Sequence, residues 1–540
     1  MTHDAIVVGS GPAGANAAAA LIEGGRSVLM LDVGDVDARY EALIPPASFR
    51  EIRQTDPAQH RYLLGDDFEG VSFGGVRVGA QLTPPRLYVT GSASHHMPVA
   101  SDTFAAAESL ALGGLGNAWG AGVFGFDERE LAEWPVTRAE LEPHYETVAR
   151  RIGISADDDD LTAFFGRPAA AMPPLDIDTN AETVLRRYRS RREALNRQGF
   201  FMGRPPLAVC TTPHRGRGPH AYRDMDFWAD SDRSVYRPRW TVDELRRGGR
   251  CRYVDRRLVL RFDEHADGVA VTTRHVDSGD LETFQGRALV LAAGTLSTAR
   301  IVLRSLGRAG ERVPLLCNPY TYVPVVNWAM LGRASRDRRH SLAQLSAVYH
   351  PGIATGGHET DMPVQAQLYS YRSLLTFRLL PETRVAYREG LRMMRLLMPA
   401  LGIIGINHDD RRTPSKYCAM RQAASAVDST LEVHYELTDA ERARMDRHER
   451  TILRFFRQLG CWPIKRVRPG HGSSIHYAGT FPMRREPSGL TCAADGRLAA
   501  TRAVHLVDGS TFPYLPAKGL TFTIMANANR IGTLLAQRLG

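Results

Sequence analysis

The segment Ala5-Ile6-Val7-Val8-Gly9-Ser10-Gly11-Pro12-Ala13-Gly14 limits the possible fold more than any other stretch of the chain. Four consecutive apolar residues suit a strand buried on both faces of a parallel sheet. Each glycine that follows has its own task. Gly9 makes the tight turn, Gly11 lets the backbone approach a pyrophosphate, and Gly14 lets the next helix lie close to the strand. An Ala-rich helix from Ala15 to about Glu23 comes next, then a second strand, Ser27 to Leu31. Asp32 ends that strand 18 residues after Gly14, placed to accept hydrogen bonds from ribose hydroxyls. The helix N-terminus faces the phosphate charge. Strand, glycines, helix, strand and acid in register predict a dinucleotide site. FAD and NAD suit this segment equally.

Composition removes several other classes. A chain of 540 residues with 43% apolar residues is long enough for two or more packed units. The formal charge of +9 raises a nucleic-acid reading. Lysine occurs only at Lys416, Lys465 and Lys518, so arginine supplies 65 of the 68 basic residues. Those arginines are interleaved with Asp and Glu, without the block of like charge that a nucleic-acid surface presents. The expectation is no nucleic-acid partner. Six separated cysteines without a CxxC pair fit neither a disulfide framework nor a zinc site, and point to a reducing compartment. The N-terminal residues enter a strand at once, leaving no room for a signal peptide. The longest apolar stretch, Leu396 to Ile406, contains Pro399 and is too short for a membrane span. A cytoplasmic protein is expected.

Further along, Leu112 to Gly122 is a second glycine-dense loop, which permits close backbone approach to a flat or phosphate-bearing ligand. Arg252 to Arg261 and Gly268 to Thr273 read as paired strands. Ala288 to Gly294 reads as another buried strand, with a helix starting at Thr298 to Leu303. So late a strand and helix imply that the nucleotide domain is assembled from distant pieces. Tyr320 to Met330, Gln365 to Tyr371 and Leu431 to Tyr435 read as strands of a sheet suited to carry a substrate surface. Thr438-Asp439-Ala440-Glu441 is a capping box whose helix has Ile452, Leu453, Phe456 and Leu459 on its apolar face and stops at Gly460. No internal repeat is evident.

In the C-terminal seventy residues, His476, Gly479, Thr480 and Met483 form one spaced set, and Val507, Asp508, Ser510 and Pro513 form another. With Gly113, Gly114 and Asn117, and with the element Ala293 to Thr298, these residues resemble the glucose–methanol–choline (GMC) oxidoreductases. The resemblance covers roughly 1–40, 108–150, 250–310 and 470–540. It implies an α/β fold (α+β overall) with a discontinuous Rossmann-like FAD domain and a substrate domain built on a mainly antiparallel sheet flanked by helices. The expected FAD-binding segments are 1–60, 100–150, 235–310 and 470–540. Segments 61–99, 151–234 and 311–469 are expected to form the substrate domain and lid.

Family resemblance further implies FAD bound by Gly9, Gly11, Pro12, Ala13, Gly14 and Asp32, by Gly113, Gly114, Asn117, Ala118 and Trp119, and by Leu258, Ala293 and Gly294. Asp508, Gly509, Gly519, Leu520 and Thr521 complete the expected set. His476 would stand beside flavin N5 as general base, since an imidazole can accept a hydroxyl proton near neutral pH. His471 reads as structural, and two histidines without a third ligand indicate no metal. Anchoring on Thr523-Ile524-Met525-Ala526 puts Gly519 where the family places a second His or Asn. Lys518 beside it would supply a cation at the flavin pyrimidine edge, hold a substrate oxygen, or point to solvent. Trp119 stands in the loop where some relatives attach FAD through histidine, so non-covalent FAD is expected. The implied activity is oxidation of the CH–OH group of a polar metabolite, sugar-like or a natural-product intermediate, with O2 or another electron acceptor. The alternatives are a flavin-dependent desaturase or isomerase and a non-catalytic flavoprotein-fold binding protein.

Overall fold

Strand His3–Val8 lies between Val28–Leu31 and Leu281–Leu291, parallel to both. The computed structural model describes residues 3–70, 82–333, 337–358, 361–370, 386–421 and 430–540. Ala5, Ile6 and Val7 are fully buried, and burying a side chain the size of Ile6 or Val7 stabilises the fold by roughly 1.5–3 kcal/mol. Cys251–Val254 extends the parallel edge beyond Val28–Leu31. The long strand Leu281–Leu291 divides its other edge: its first half pairs antiparallel with Gly268–His275, and its last residues pair parallel with Val504–Leu506. Arg257–His265 closes the sheet on Gly268–His275. The continuous strand expected over Arg252 to Arg261 is therefore two strands on opposite sides of the sheet. The chain breaks at Arg256, which takes a left-handed φ of 55°.

Helix Pro12–Glu23 covers one face of this sheet and packs along helix Thr521–Arg538. Small side chains make that contact close. A Cβ at Gly532 would lie 2.8 Å from the Ala17 carbonyl oxygen. Helix Thr295–Ser305 follows the central strand on the other side, and Ala299, Val302 and Leu303 are fully buried.

A second sheet is wholly antiparallel, in the order Cys461–Pro463, Tyr320–Asn327, Leu401–Asn407, Val364–Ser370, Ala343–Tyr349, Phe200–Gly203. One face is apolar and packs under helices Thr179–Arg189 and Asp439–Gln458 through Val184, Tyr188, Phe455 and Phe456. Asp439–Gln458 opens on the capping box of Thr438 and Glu441. Two expected strands run differently. Tyr320 to Met330 is a strand to Asn327 and then a 3-10 turn, while Leu431–Tyr435 belongs to another sheet, with Val99–Ala100, Lys416–Met420 and Val313–Pro314. Tyr371, expected at the end of a strand, lies outside the described residues; Val364–Ser370 is the strand observed. Finally, a short ribbon pairs Leu316–Cys317 with Tyr477–Ala478 and ties the substrate-side strands to the C-terminal segment. All six cysteines are buried and unpaired. Among the described residues no helix is long and apolar enough to cross a membrane.

Candidate active site

One continuous cavity runs from the turn after His3–Val8 to the polar face of the second sheet. Gly9, Gly11, Pro12 and Ala13 form its floor at one end, and Asp32 stands beside them. The helix they open has Gly11 as N-cap, no side-chain cap and no acid in its first turn. Helix Thr521–Arg538 likewise starts without a side-chain cap or acid, at Gly519, Leu520 and Thr521 on the cavity wall. Helices Arg138–Ile152 and Asp439–Gln458, by contrast, carry full capping boxes. Two helices thus turn uncapped, electropositive N-termini toward the cavity, where an anionic ligand would satisfy them.

The glycines divide into two kinds. A Cβ on Gly14 would lie 1.9 Å from the Gly9 carbonyl oxygen, so Gly14 serves helix–strand contact and does not line the cavity. A Cβ on Gly11 would meet no protein atom within 4 Å, and its φ of −64° and ψ of −173° suit any residue. Protein packing does not require a glycine there, whereas a ligand lying against the turn does. Asp32 accepts a short hydrogen bond from Ser10 Oγ and a second from Tyr253 Oη at 3.3 Å. Burial pushes its carboxyl up to about 7, and the hydrogen bonds from Ser10 and Tyr253 oppose that rise.

Gly114, Ala118 and Trp119 line the cavity, while Gly113 and Asn117 stand behind them. Gly113 N–H donates to Ser10 Oγ at 2.8 Å and Asn117 Nδ2 donates to the Leu112 carbonyl at 2.7 Å, so these two hold the loop. Trp119 Nε1 donates to the Tyr236 carbonyl. Leu258, Ala293, Gly294 and Gly509 also line the cavity. Asp508 Oδ2 accepts from Gly294 N–H at 2.9 Å and from Thr298 Oγ1 at 2.6 Å, joining the C-terminal segment to the start of helix Thr295–Ser305.

His476 lines the cavity at its far end, and an asparagine missed in the sequence fixes its state. The ribbon pairs Cys317 with Tyr477, so the next position sets Asn318 opposite His476. Asn318 Nδ2 donates to the His408 carbonyl at 2.7 Å and to the Pro516 carbonyl at 2.8 Å. That orients Oδ1 toward His476 Nδ1, 2.9 Å away. Nδ1 must carry the proton, which leaves Nε2 as an unpartnered acceptor among the described residues. Burial pulls the imidazole pKa down to about 4, so the ring is neutral near pH 7. Ile475, just before it, takes a left-handed φ of 58°, a strained conformation for a β-branched residue that helps set the direction of the histidine. His471 packs against the Tyr435 ring.

Lys518 takes neither flavin-side place considered for it. Its ammonium is buried behind the cavity wall, 2.7 Å from Glu130 Oε2, and donates to the carbonyls of Phe164 and Gly125 at 2.8 and 3.1 Å. It anchors the turn at Gly519, and Gly519 itself lines the cavity beside Phe124. Burial pushes the Glu130 carboxyl up to about 7 against the pull of Lys518. Removing one member of a buried pair strands the other. The substitution Lys518→Met should therefore destabilise the protein by about 3–5 kcal/mol, seen as a lowered melting temperature, and adding Glu130→Gln should recover most of the loss. An unchanged single variant would show that the pair contributes nothing.

A Rossmann-type cavity with electropositive helix ends at the turn and a neutral histidine at its far end is suited to hold a dinucleotide beside a proton acceptor. Residues 381–528 match the family described as GMC oxidoreductase. The chain is 25% identical to 6'''-hydroxyparomomycin C oxidase of Streptomyces lividus, over 99% of this chain and 92% of that protein. Among solved structures, pyridoxine 4-oxidase from Mesorbium loti matches with a TM-score of 0.57 at 15% identity, over 99% of both chains. A variant of formate oxidase from Aspergillus oryzae matches with a TM-score of 0.62 at 12% identity, over 99% of this chain and 98% of that one. The chain is thus similar to GMC oxidoreductases, and these likenesses support an FAD-dependent oxidoreductase. The uncapped helix ends, the space at Gly11 and the acid at Asp32 fit that cofactor.

Proposed function

We propose that the protein oxidises a CH–OH group of a polar, sugar-like metabolite to a carbonyl, with His476 as general base. The observation behind this reading is the Asn318 clamp, which leaves His476 Nε2 bare on a ring that lines the cavity. FAD, when bound, supplies the acceptor for the hydride that leaves the substrate carbon. The O–H proton passes to Nε2, the C–H bond gives up its electron pair, and the C=O bond forms. Asn318 keeps the ring in the accepting tautomer, and its Oδ1 stays on Nδ1–H as the imidazolium forms. Gly9, Gly11, Asp32, Gly114 and Ala118 would hold the nucleotide half of the cofactor, with Gly294, Asp508, Gly509, Gly519 and Thr521 around the remainder. Segments 1–60, 100–150, 235–310 and 470–540 would make up the FAD domain.

The cofactor is taken to be dissociable, and O2 or another small molecule to be the final electron acceptor. The Streptomyces relative, named as an oxidase of a hydroxylated compound, supports a hydroxyl-bearing substrate. Anaerobic addition of candidate alcohols should bleach the bound flavin and yield a product two hydrogens lighter that carries a carbonyl. Acid denaturation of the same preparation should release the flavin into the supernatant. A product of unchanged mass would reject alcohol oxidation, and flavin that stays in the precipitate would reject dissociable binding.

A further inference from the structure

The second sheet turns two chemically opposite faces outward. Alternate residues Val323, Val325, Ile404, Ile406, Ala366 and Leu368 enter the apolar core beneath the helices. The residues between them, Tyr320, Tyr322, Gln367, Tyr369 and Asn407, line the cavity. Register places Tyr320 opposite Asn407, and both Tyr322 and Gln367 opposite Gly405. Gly405 makes room for the neighbouring phenol, since a Cβ there would lie 1.9 Å from Tyr320 Oη. The Tyr320 and Tyr322 rings meet edge to face, 4.4 Å apart.

Two features show what such a face accepts. The first is unmet hydrogen-bonding capacity. Asn407 is only 3% exposed, yet its Oδ1 has no partner among the described residues. A buried amide oxygen left unpaired is costly unless a ligand supplies a donor. Gln367 accepts from Tyr369 Oη at 2.8 Å, which leaves its Nε2 available. The second feature is charge. The cavity's charged carboxylates and guanidiniums, Asp32, Glu108, Arg257, Arg300, Arg304 and Asp508, all lie outside the second sheet. Among the described residues the sheet face contributes only phenols and amides. A substrate ammonium or carboxylate buried against it would lack a counter-charge. Tyrosine rings and amide donor–acceptor pairs instead suit the C–H faces and hydroxyls of a saturated ring.

We propose that this sheet face recognises an uncharged, hydroxyl-rich ring, a neutral cyclic polyol or glycoside, and that Asn407 Oδ1 accepts from a ring hydroxyl neighbouring the one whose proton His476 takes. Asn407 is one residue from His408, whose carbonyl accepts the Asn318 amide that clamps His476. The same strand end therefore carries the base's support and an acceptor for a neighbouring hydroxyl. The inference rests on the alcohol-oxidation reading.

The test uses purified FAD-loaded enzyme under anaerobic conditions, with flavin bleaching as the readout. The probes are methyl hexopyranosides in three forms (neutral, 2-amino and uronate), together with neutral inositols and acyclic alcohols. The neutral rings should be oxidised with kcat/KM at least about 10-fold above either charged form. Asn407→Leu should lower that value at least about 10-fold with FAD content unchanged, because it leaves the neighbouring ring hydroxyl without its acceptor. The isosteric Asn407→Asp, which retains shape, should move preference toward the 2-amino ring by at least about 10-fold. Preference of the unaltered enzyme for a charged ring, or Asn407 variants within about 3-fold of it, would overturn the assignment. If acyclic alcohols bleach the flavin and no ring does, this inference alone fails. If no alcohol does, the oxidation reading falls and takes this one with it.

Discussion

Replacing His476 with alanine lowers the rate of flavin reduction by substrate at least about 100-fold, with FAD still bound. The side chain makes one hydrogen bond to protein, Nδ1 to Asn318 Oδ1, and lines the cavity with its other edge. Its removal therefore deletes the proton acceptor without disturbing the helix ends and glycines at the nucleotide end. Asn318→Leu should give an intermediate loss, since the ring stays in place but no longer has its tautomer fixed. The pH dependence follows from the same burial. With its pKa pulled down from 6.5 to about 4, His476 is a neutral acceptor throughout the neutral range, so kcat/KM should be level there and fall as pH drops through about 4. Stability changes over a related window. The unfolded chain binds the proton near 6.5 and the folded chain only near 4, so stability is lost as pH falls between those values. The alanine variant should show a shallower acid loss. Stopped-flow reduction across pH and acid unfolding of both proteins check these outcomes; full activity in the alanine variant would remove His476 from the mechanism.

Gly11→Val and Gly14→Val should fail in different ways. At Gly11 the backbone angles suit any residue and a Cβ meets nothing, so the apoprotein should keep its stability to within about 0.5 kcal/mol. The new side chain would occupy cofactor space, and FAD affinity should drop at least about 100-fold. At Gly14 the Cβ would overlap the Gly9 carbonyl, and neither backbone can move without parting the helix from the strand. That variant should lose stability even with no cofactor present, by about 3 kcal/mol or more. Thermal melts of apoprotein with flavin titration separate the two. Equal behaviour of both variants would mean that Gly11 is a packing glycine after all.

The parts legible in the sequence are those whose chemistry is local. Gly9, Gly11, Gly14 and Asp32 declare a nucleotide turn through spacing alone, and Thr438 with Glu441 declares a helix start. Asn318 and Asn407 could not be read that way. Asn318 matters because pairing Leu316–Cys317 with Tyr477–Ala478 brings it across from a histidine 158 residues away. Asn407 gains its place from strand alternation and from the direction in which the sheet faces. Lys518 drew attention because lysine is scarce here, but its partner Glu130 lies in a distant loop that no local spacing reveals. The strand break at Arg256 was hidden for a simpler reason. A left-handed arginine carries no sequence signal of the kind glycine gives.

The pairing of the first helix with the last has a consequence for biosynthesis. Arg26 Nε donates to the Ala536 carbonyl across 510 residues, helix Pro12–Glu23 packs on Thr521–Arg538, and Val504–Leu506 completes the sheet beside Leu281–Leu291. Contacts of such sequence separation form late and slowly. While the ribosome works, the Ala-rich helix must wait, its apolar side uncovered, for a partner that lies 510 residues further along at the Arg26–Ala536 contact. The cofactor site is thus the last part of the molecule to mature. FAD binding should wait on residues 504–538, and a chain stopped before them should present an exposed half-core to the chaperones and proteases of the cell.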